Sequence, residues 1–361
     1  MLENLLLLLL DGVALGCIYA LIALGYTMVY GLIKLINFAH GEFYMMGAYA
    51  GLGVLMSVKS LGLAEPYDTV AVFLLAMLGA ALAAGVLAVV VEKLAYKPLR
   101  RASRIAALLS ALGVSLFLQN VALKAFSPNT RPFRANVIDR RYPSIEVPRS
   151  GLSAGAAFEH DVYWRDESGA DRLLAGRAET LSEAALRDAL GAGASRFFYY
   201  PSVTVRKKQV IIWTSVLLLT VGLTLLVRFT RIGKAMRAVS YDFEAAELMG
   251  INVDRVISFT FFIGAVMAGA GGVLVGMYYG TVKPTMGVMY GLKAFVAAVV
   301  GGIGSIPGAV LGGLALGSAE SFVKLSSSTA PYQDAFAFAV LIAILVFMPN
   351  GFFGRPEREK V

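Results

Sequence analysis

The sequence predicts an all-α, polytopic membrane protein with about eight or nine transmembrane helices, and three observations lead there. Of its 361 residues, 58% are hydrophobic and 16% charged, against about 45–50% apolar and about 25% charged in soluble domains. Several uncharged windows run for about 20 residues, the length a helix needs to cross a hydrocarbon core of about 30 Å. The 38 glycines fit the same class, because glycine is more frequent in membrane helices than in soluble ones. The single cysteine, Cys17, excludes an internal disulfide.

The net charge of +8 invites a nucleic-acid reading. Its basic residues instead cluster between apolar segments, so no nucleic-acid partner is expected and membrane lipid is. The start, MLENLLLLLLDGVALGCIYALIALGY, lacks a basic n-region and carries Glu3 and Asp11, so a retained first span is expected and not a cleaved signal.

Apolar windows place spans at about 5–30, 36–58, 69–91, 104–125, 209–228, 256–280, 290–303, 305–324 and 333–348. The 290–303 window is short and ends in GGIGS. A broken or re-entrant element is expected there, tolerated where protein or a water-filled cavity covers the backbone. The chain then divides into an N-terminal transmembrane portion, 1–126, a polar insertion, 127–208, and a C-terminal transmembrane portion, 209–361.

Orientation follows from the basic loops. EKLAYKPLRRASR (92–104) and VRFTRIGKAMRA (227–238), with Arg355, Arg358 and Lys360 in the tail, belong on the cytoplasmic side by the positive-inside rule. Counting back places the N-terminus outside and the C-terminus in the cytoplasm, which nine crossings satisfy. The insertion then lies outside; its many arginines are no objection, since long loops translocate largely regardless of charge. It shows one short helix at 181–190 and turn-rich surroundings, and reads either as a shield over the spans or as a docking face for an external partner. His160, between Glu159 and Asp161, lacks the three or four converging ligands a metal site needs, so no metal is expected.

One apolar run carries unexpected polarity: IKLINFAHGEFYMMGAYA (33–50) holds Asn37, His40 and Glu42. Residues two apart face different sides of a helix, so His40 and Glu42 act together only if the segment breaks, which Gly41 would allow. Two roles stand side by side. The three residues cap a break between helical pieces, or they line a translocation path, since intramembrane ionisable groups tend to be functional. Farther on, Gly264, Ala268, Gly272, Gly276 and Gly280 recur every four residues. Such a ridge lets helices approach closely in lipid, as packing surface or as a sliding one.

Between two later spans lies RIGKAMRAVSYDFEAAELMGINVDRVI (231–257). Asp242 with the following EAAELM favours a helix of about nine residues, and Gly250 ends it. So short a helix needs cover, either from the membrane surface or from a separate cytoplasmic protein. Glu244-Ala245-Ala246, three residues and then Gly250 are similar to the EAA loop of ABC-importer permeases, which sits in a groove of the ATPase subunit. Together with GLIKLINFAHGEFYMMGAYA (31–50), GGIGSIPGAVLGGLALGSAES (301–321) and MPNGFFGRPEREKV (348–361), it resembles the branched-chain amino acid permease family of the LivH type. The resemblance covers about 1–126 and 206–361; the stretch 127–205 is longer than it leads one to expect.

The resemblance implies a bacterial inner-membrane permease subunit of an ABC importer, with the coupling loop at 231–254. Its implied partners are two ABC ATPase subunits, a second (LivM-like) permease and a periplasmic substrate-binding protein. The chain has no GxxxxGK[ST] phosphate loop. No cofactor is expected on it, ATP and Mg being bound by the partners, and it is not expected to be an enzyme. The cargo would be branched-chain amino acids, with urea or short amides as the alternative in the same family. An ion-coupled secondary transporter with a His40, Glu42 and Glu320 relay is the alternative from another class.

Overall fold

The computed structural model describes residues 2–62, 70–100, 102–133, 204–325, 328–348 and 351–354, with shorter pieces between 141 and 199. The elements run α1 (Leu2–Ile33), α2 (His40–Ser60), α3 (Val70–Val91), α4 (Arg104–Phe126), β1 (Arg131–Pro132), β2 (Arg141–Tyr142), β3 (Ile145–Glu146), β4 (Val162–Arg165), β5 (Asp171–Ala175) and α5 (Glu183–Gly191). They continue with β6 (Phe197–Tyr199), β7 (Val205–Arg206), α6 (Lys207–Phe229), α7 (Arg231–Tyr241), α8 (Phe243–Leu248), α9 (Val253–Tyr279), β8 (Thr281–Val282), α10 (Met286–Gly301), α11 (Ile306–Val323) and α12 (Gln333–Phe347).

Local chemistry sets many of these boundaries. The Ser103 hydroxyl accepts from Ala106 N–H and starts α4, and Asn252 accepts from Arg255 N–H at the start of α9. The Ser305 hydroxyl accepts from Gly308 N–H at α11, where Pro307 occupies the first turn; the missing proline N–H is one the helix start leaves unpaired anyway. At its end α3 runs into a wider turn, Glu92–Tyr96, and a tight one, Lys97–Leu99, where Pro98 has no N–H to continue the ladder.

Seven helical stretches among the described residues are long and apolar enough to cross a membrane: Leu5–Ile33, Val70–Leu99, Ile105–Phe126, Lys207–Phe229, Val253–Tyr279, Ile306–Val323 and Ala330–Phe347. Two of the nine expected windows differ. The α2 helix has 21 residues, about 31 Å at 1.5 Å per residue, but its polar residues lower its hydropathy. The apolar α10 is shorter, at 16 residues.

Residues 11–136 and 211–361 form one compact unit and residues 1–10 and 137–210 another. In the first, α2 packs against α3, α9 and α10 through glycines at contact distances no side chain would permit. Gly47 meets Gly269, and Gly272 meets the backbone of Tyr44 and Ala48; α9 approaches α1 in the same way, Gly264 against Gly25. The α1 helix packs on α11 by the same device, Gly16 against Gly313 and Gly317. Lipid offers no hydrophobic reward for helix association, so this close van der Waals approach carries the packing. Ala268 is fully buried in the same ridge, and Gly276 lies under the Phe133 ring. Gly280 departs from the ridge: no atom lies near enough to touch a side chain there, and its φ of +70° ends α9 in the left-handed conformation glycine tolerates.

The second unit contains strands where the sequence suggested turns and one helix. The strands β3, β6, β4 and β5 form an antiparallel sheet in that order, with Trp164 opposite both Phe197 and Arg172. Val162, Trp164, Leu174, Leu181, Ala189 and Phe197 are buried together as a separate core. The α5 helix starts where Ser182 accepts from Ala185 N–H. Strands of two to five residues flanked by charge carry too little alternation to stand out in the sequence. Residues 159 and 160 of the Glu-His-Asp triplet lie outside the described residues.

Candidate functional site

The polar run between α1 and α2 is a true interruption. Ile33 ends α1, Lys34 adopts a φ of +54°, and residues 34–37 are without regular structure before α2 begins at His40. Backbone groups freed by such a break need partners where water is scarce. Asn37 supplies two: its side-chain oxygen accepts from Ala39 N–H at 3.1 Å and its backbone carbonyl accepts from His40 N–H at 3.1 Å. The Tyr96 hydroxyl donates to the same side-chain oxygen at 2.7 Å, while the Asn37 amide nitrogen has no partner.

His40 and Glu42 are both 1% exposed, and the helix aims them at different neighbours. The His40 ring lies against Gly25 and 4.5 Å from the Tyr26 ring, on α1. The Glu42 carboxylate turns to α4 and α10, accepting from the Ser115 hydroxyl at 3.2 Å and lying on Gly287. One carboxylate oxygen and the His40 Nε2 have no hydrogen-bond partner. Gly41, one residue into α2, is not where the chain breaks; it sits on Gly287 and Gly291 of α10, so its missing side chain serves a helix crossing.

A second buried polar cluster was less visible in the sequence. Lys293 of α10 lies 2.8 Å from Glu320 of α11 and 2.6 Å from Asp334 at the start of α12. The Tyr19 hydroxyl donates to Glu320 at 2.8 Å. Lys293 and Glu320 are buried and Asp334 is half exposed, so alternating charges on three helices run inward to the neutral Tyr19 hydroxyl on a fourth. Glu320 therefore belongs to this cluster and not to a relay with His40 and Glu42. An ionisable residue inside an apolar helix was the signal that could have found Lys293.

A third set clasps α3 to α9. Buried Glu92 accepts from the Ser258 hydroxyl at 2.7 Å and pairs with Arg100, which also pairs with Asp254; Lys97 lies 2.7 Å from Asp254. Sequence reasoning treated these residues only as loop charge. Among the described residues no group of three or more His, Cys, Asp or Glu side chains is placed to hold a metal.

The EAA-like stretch is a six-residue helix, α8, shorter than the nine residues expected. The Asp242 carboxylate accepts from Glu244 N–H at 3.0 Å and Ala245 N–H at 3.1 Å. Gly250, with a φ of +81°, turns the chain away. Of the four EAA-like residues only Ala246 is buried. Leu248 and Met249 beside it are 88% and 83% exposed, so α8 carries an apolar tip that the chain itself leaves uncovered.

Comparison with known proteins converges on one family. The model for the branched-chain amino acid transport system / permease component matches residues 8–345. The high-affinity branched-chain amino acid transport system permease protein LivH of Salmonella typhimurium is 39% identical over 351 residues, 97% of this chain and 96% of the relative. LivH of Escherichia coli K12 matches with the same figures. BraD of Pseudomonas aeruginosa, named as a permease protein of the same kind of system, is 37% identical over 354 residues, 98% of this chain and 97% of its own. No solved structure matches significantly. With a many-helix membrane unit, a polar connection between its first two helices and an exposed short helix between α7 and α9, the chain belongs to the permease component family of the branched-chain amino acid transport systems.

Proposed function

We propose that the chain is the permease subunit through which an ABC importer moves branched-chain amino acids across the bacterial inner membrane. Partner ATPases would supply the energy. The carrying observation is α8: a capped, six-residue helix whose Leu248 and Met249 project uncovered. A short helix with an uncovered apolar tip of this kind offers a docking surface, and an ATPase groove is the cover that fits it here. Two ATPase subunits are the partners, and they bind the ATP and Mg. A second, LivM-like permease completes the pathway and a periplasmic binding protein delivers the cargo. The N-terminus lies outside and the C-terminus in the cytoplasm, which puts α8 on the ATPase side.

In this reading the protein does no covalent chemistry. Closure of the ATPases pushes α8, and the break at 34–39 and the clasp at Glu92 and Arg100 receive the motion through the adjoining ends of α3 and α9. Asn37, His40 and Glu42 serve as the hinge of the broken span or as the wall of the path. Uptake of labelled leucine, isoleucine, valine, urea and short amides into proteoliposomes of the full complex tests the proposal. Uptake of the branched-chain amino acids that needs internal ATP and the binding protein, and that ionophores leave unchanged, supports it. Ionophore-sensitive uptake without ATP would transfer the function to an ion-coupled carrier, and preference for urea or amides would reassign the cargo.

A further inference from the structure

Four cations cluster at the end of α6 and along α7, Arg228, Arg231, Lys234 and Arg237, and the stretch 228–241 contains no carboxylate. Arg237 is engaged with backbone, donating to the Val227 and Arg228 carbonyls that α6 leaves open at its end. Arg228, Arg231 and Lys234 are exposed, and none of them forms an ion pair among the described residues. Position decides what such a patch can meet. A single residue, Thr230, separates α7 from the apolar helix α6; its hydroxyl accepts from Gly233 N–H at 3.0 Å and donates to the Leu226 carbonyl at 2.6 Å. Gly233 lies so close on the Leu226 and Val227 backbone that a methyl group there would collide. With Met236 and Val239 buried as well, the chain itself takes up the apolar face of α7. The helix is therefore pinned at the end of a membrane span with its charged edge open, at the depth of lipid headgroups. Arg231 and Lys234, three apart, share that edge; Tyr241, two turns past Lys234 and 85% exposed, extends it with a residue type enriched at the membrane–water interface.

We propose that Arg228, Arg231 and Lys234 form a docking site for the phosphate headgroup of an anionic phospholipid. Lys/Arg clusters beside a membrane span attract anionic lipid surfaces, and no carboxylate of the chain competes for these three. A protein groove fits this edge less well than it fits α8, which carries Glu244 and Glu247 and leaves Leu248 and Met249 uncovered. Asp242 both ends α7 and caps α8, so a lipid that holds α7 also sets where α8 starts. The inference stands on the geometry of α7 and not on the import reading.

Hydrogen exchange of the full-length chain with its co-purified subunits tests this in nanodiscs of phosphatidylcholine alone and of a phosphatidylcholine–phosphatidylglycerol mixture. Exchange at 231–241 should be about fivefold slower in the mixture. The double variant Arg231→Gln/Lys234→Gln should erase that difference and Lys234→Gln alone should reduce it. Lys283→Gln, which removes an exposed cation past the far end of α9, should leave it intact. Equal exchange in the two nanodiscs overturns the proposal, as does slowing that the monodisperse double variant retains. Glycerol phosphate slowing 231–241 as strongly in phosphatidylcholine nanodiscs would reassign the site to a soluble anion. Loss of the co-purified subunits from the double variant in detergent would reassign it to a protein groove.

Discussion

The Tyr96 hydroxyl donates to the Asn37 side-chain oxygen at 2.7 Å, which ties the end of α3 to the interruption between α1 and α2. Because that oxygen also takes Ala39 N–H, the two single variants remove different amounts of the same junction. Tyr96→Phe loses one hydrogen bond, about 0.5–1.5 kcal/mol; Asn37→Ala loses the capping bond as well and should cost roughly twice that. Thermal unfolding midpoints in detergent rank the two, and uptake assays should fall in the same order. Asn37→Ala as stable as wild type would show that the junction holds nothing.

Glu42→Gln keeps the shape and the acceptor for Ser115 while removing the charge. Transport is expected to drop several-fold with membrane insertion intact, and His40→Ala should behave likewise. Wild-type transport rates in reconstituted mutant complexes would remove both residues from the path.

Lys293 stands between two carboxylates on separate helices. Lys293→Met leaves Glu320 buried and uncompensated, a loss of about 3–5 kcal/mol for breaking one side of a buried pair. Adding Glu320→Gln should recover part of it, because the orphaned charge is gone. Size-exclusion profiles and melting curves of the single and double variants measure that coupling; a double variant less stable than the single would refute the assignment.

At Gly41 a methyl group would run into the backbone of Gly287 and Gly291, leaving α2 and α10 no room to adjust except by moving apart. Gly41→Ala should therefore lower the yield of folded protein sharply. Gly53→Ala, which meets open space in the same helix, should not. Comparing monodisperse yields of the pair separates steric crossing from general helix effects.

The exposed tip of α8 gives the opposite pattern. Leu248→Glu changes a side chain that is 88% exposed, so stability of the isolated chain should shift by less than about 0.5 kcal/mol, while ATPase subunits should no longer co-purify. Asp242→Ala removes the cap and should cost about 1 kcal/mol, weakening the association without abolishing it. Pull-down yields of the two variants check the order.

Much of the membrane unit was legible because lipid imposes simple rules: long apolar windows, small-residue ridges and basic flanks. The polarity of Asn37, His40 and Glu42 stood out in the sequence, but the break expected at Gly41 is instead the connection at 34–39 ahead of a continuous α2; the helix ended by Gly250 was legible from its composition. What escaped depended on tertiary placement. Nothing in a linear reading puts Tyr96 beside Asn37, 59 positions apart, or Tyr19 beside Glu320, 301 apart. Gly41 looked like the cause of a break because glycine frees the backbone; its packing role appears only once α10 lies across it. Gly280 fits the four-residue rhythm of the α9 ridge, yet the end of the helix claims it for a turn. The strands of the insertion are too short for periodicity to show.

The small sheet carries a consequence of another kind. The chain has two tryptophans, and they fall one to each unit: Trp164 in the core of the sheet and Trp213 in the membrane-unit portion of α6. Replacing Trp213 with phenylalanine leaves a single indole emitter, 7% exposed, whose emission maximum should shift to longer wavelength when that core opens. The protein thus contains its own optical reporter for one module, free of labels, with which the melting of the small sheet is followed while the apolar helices stay dark.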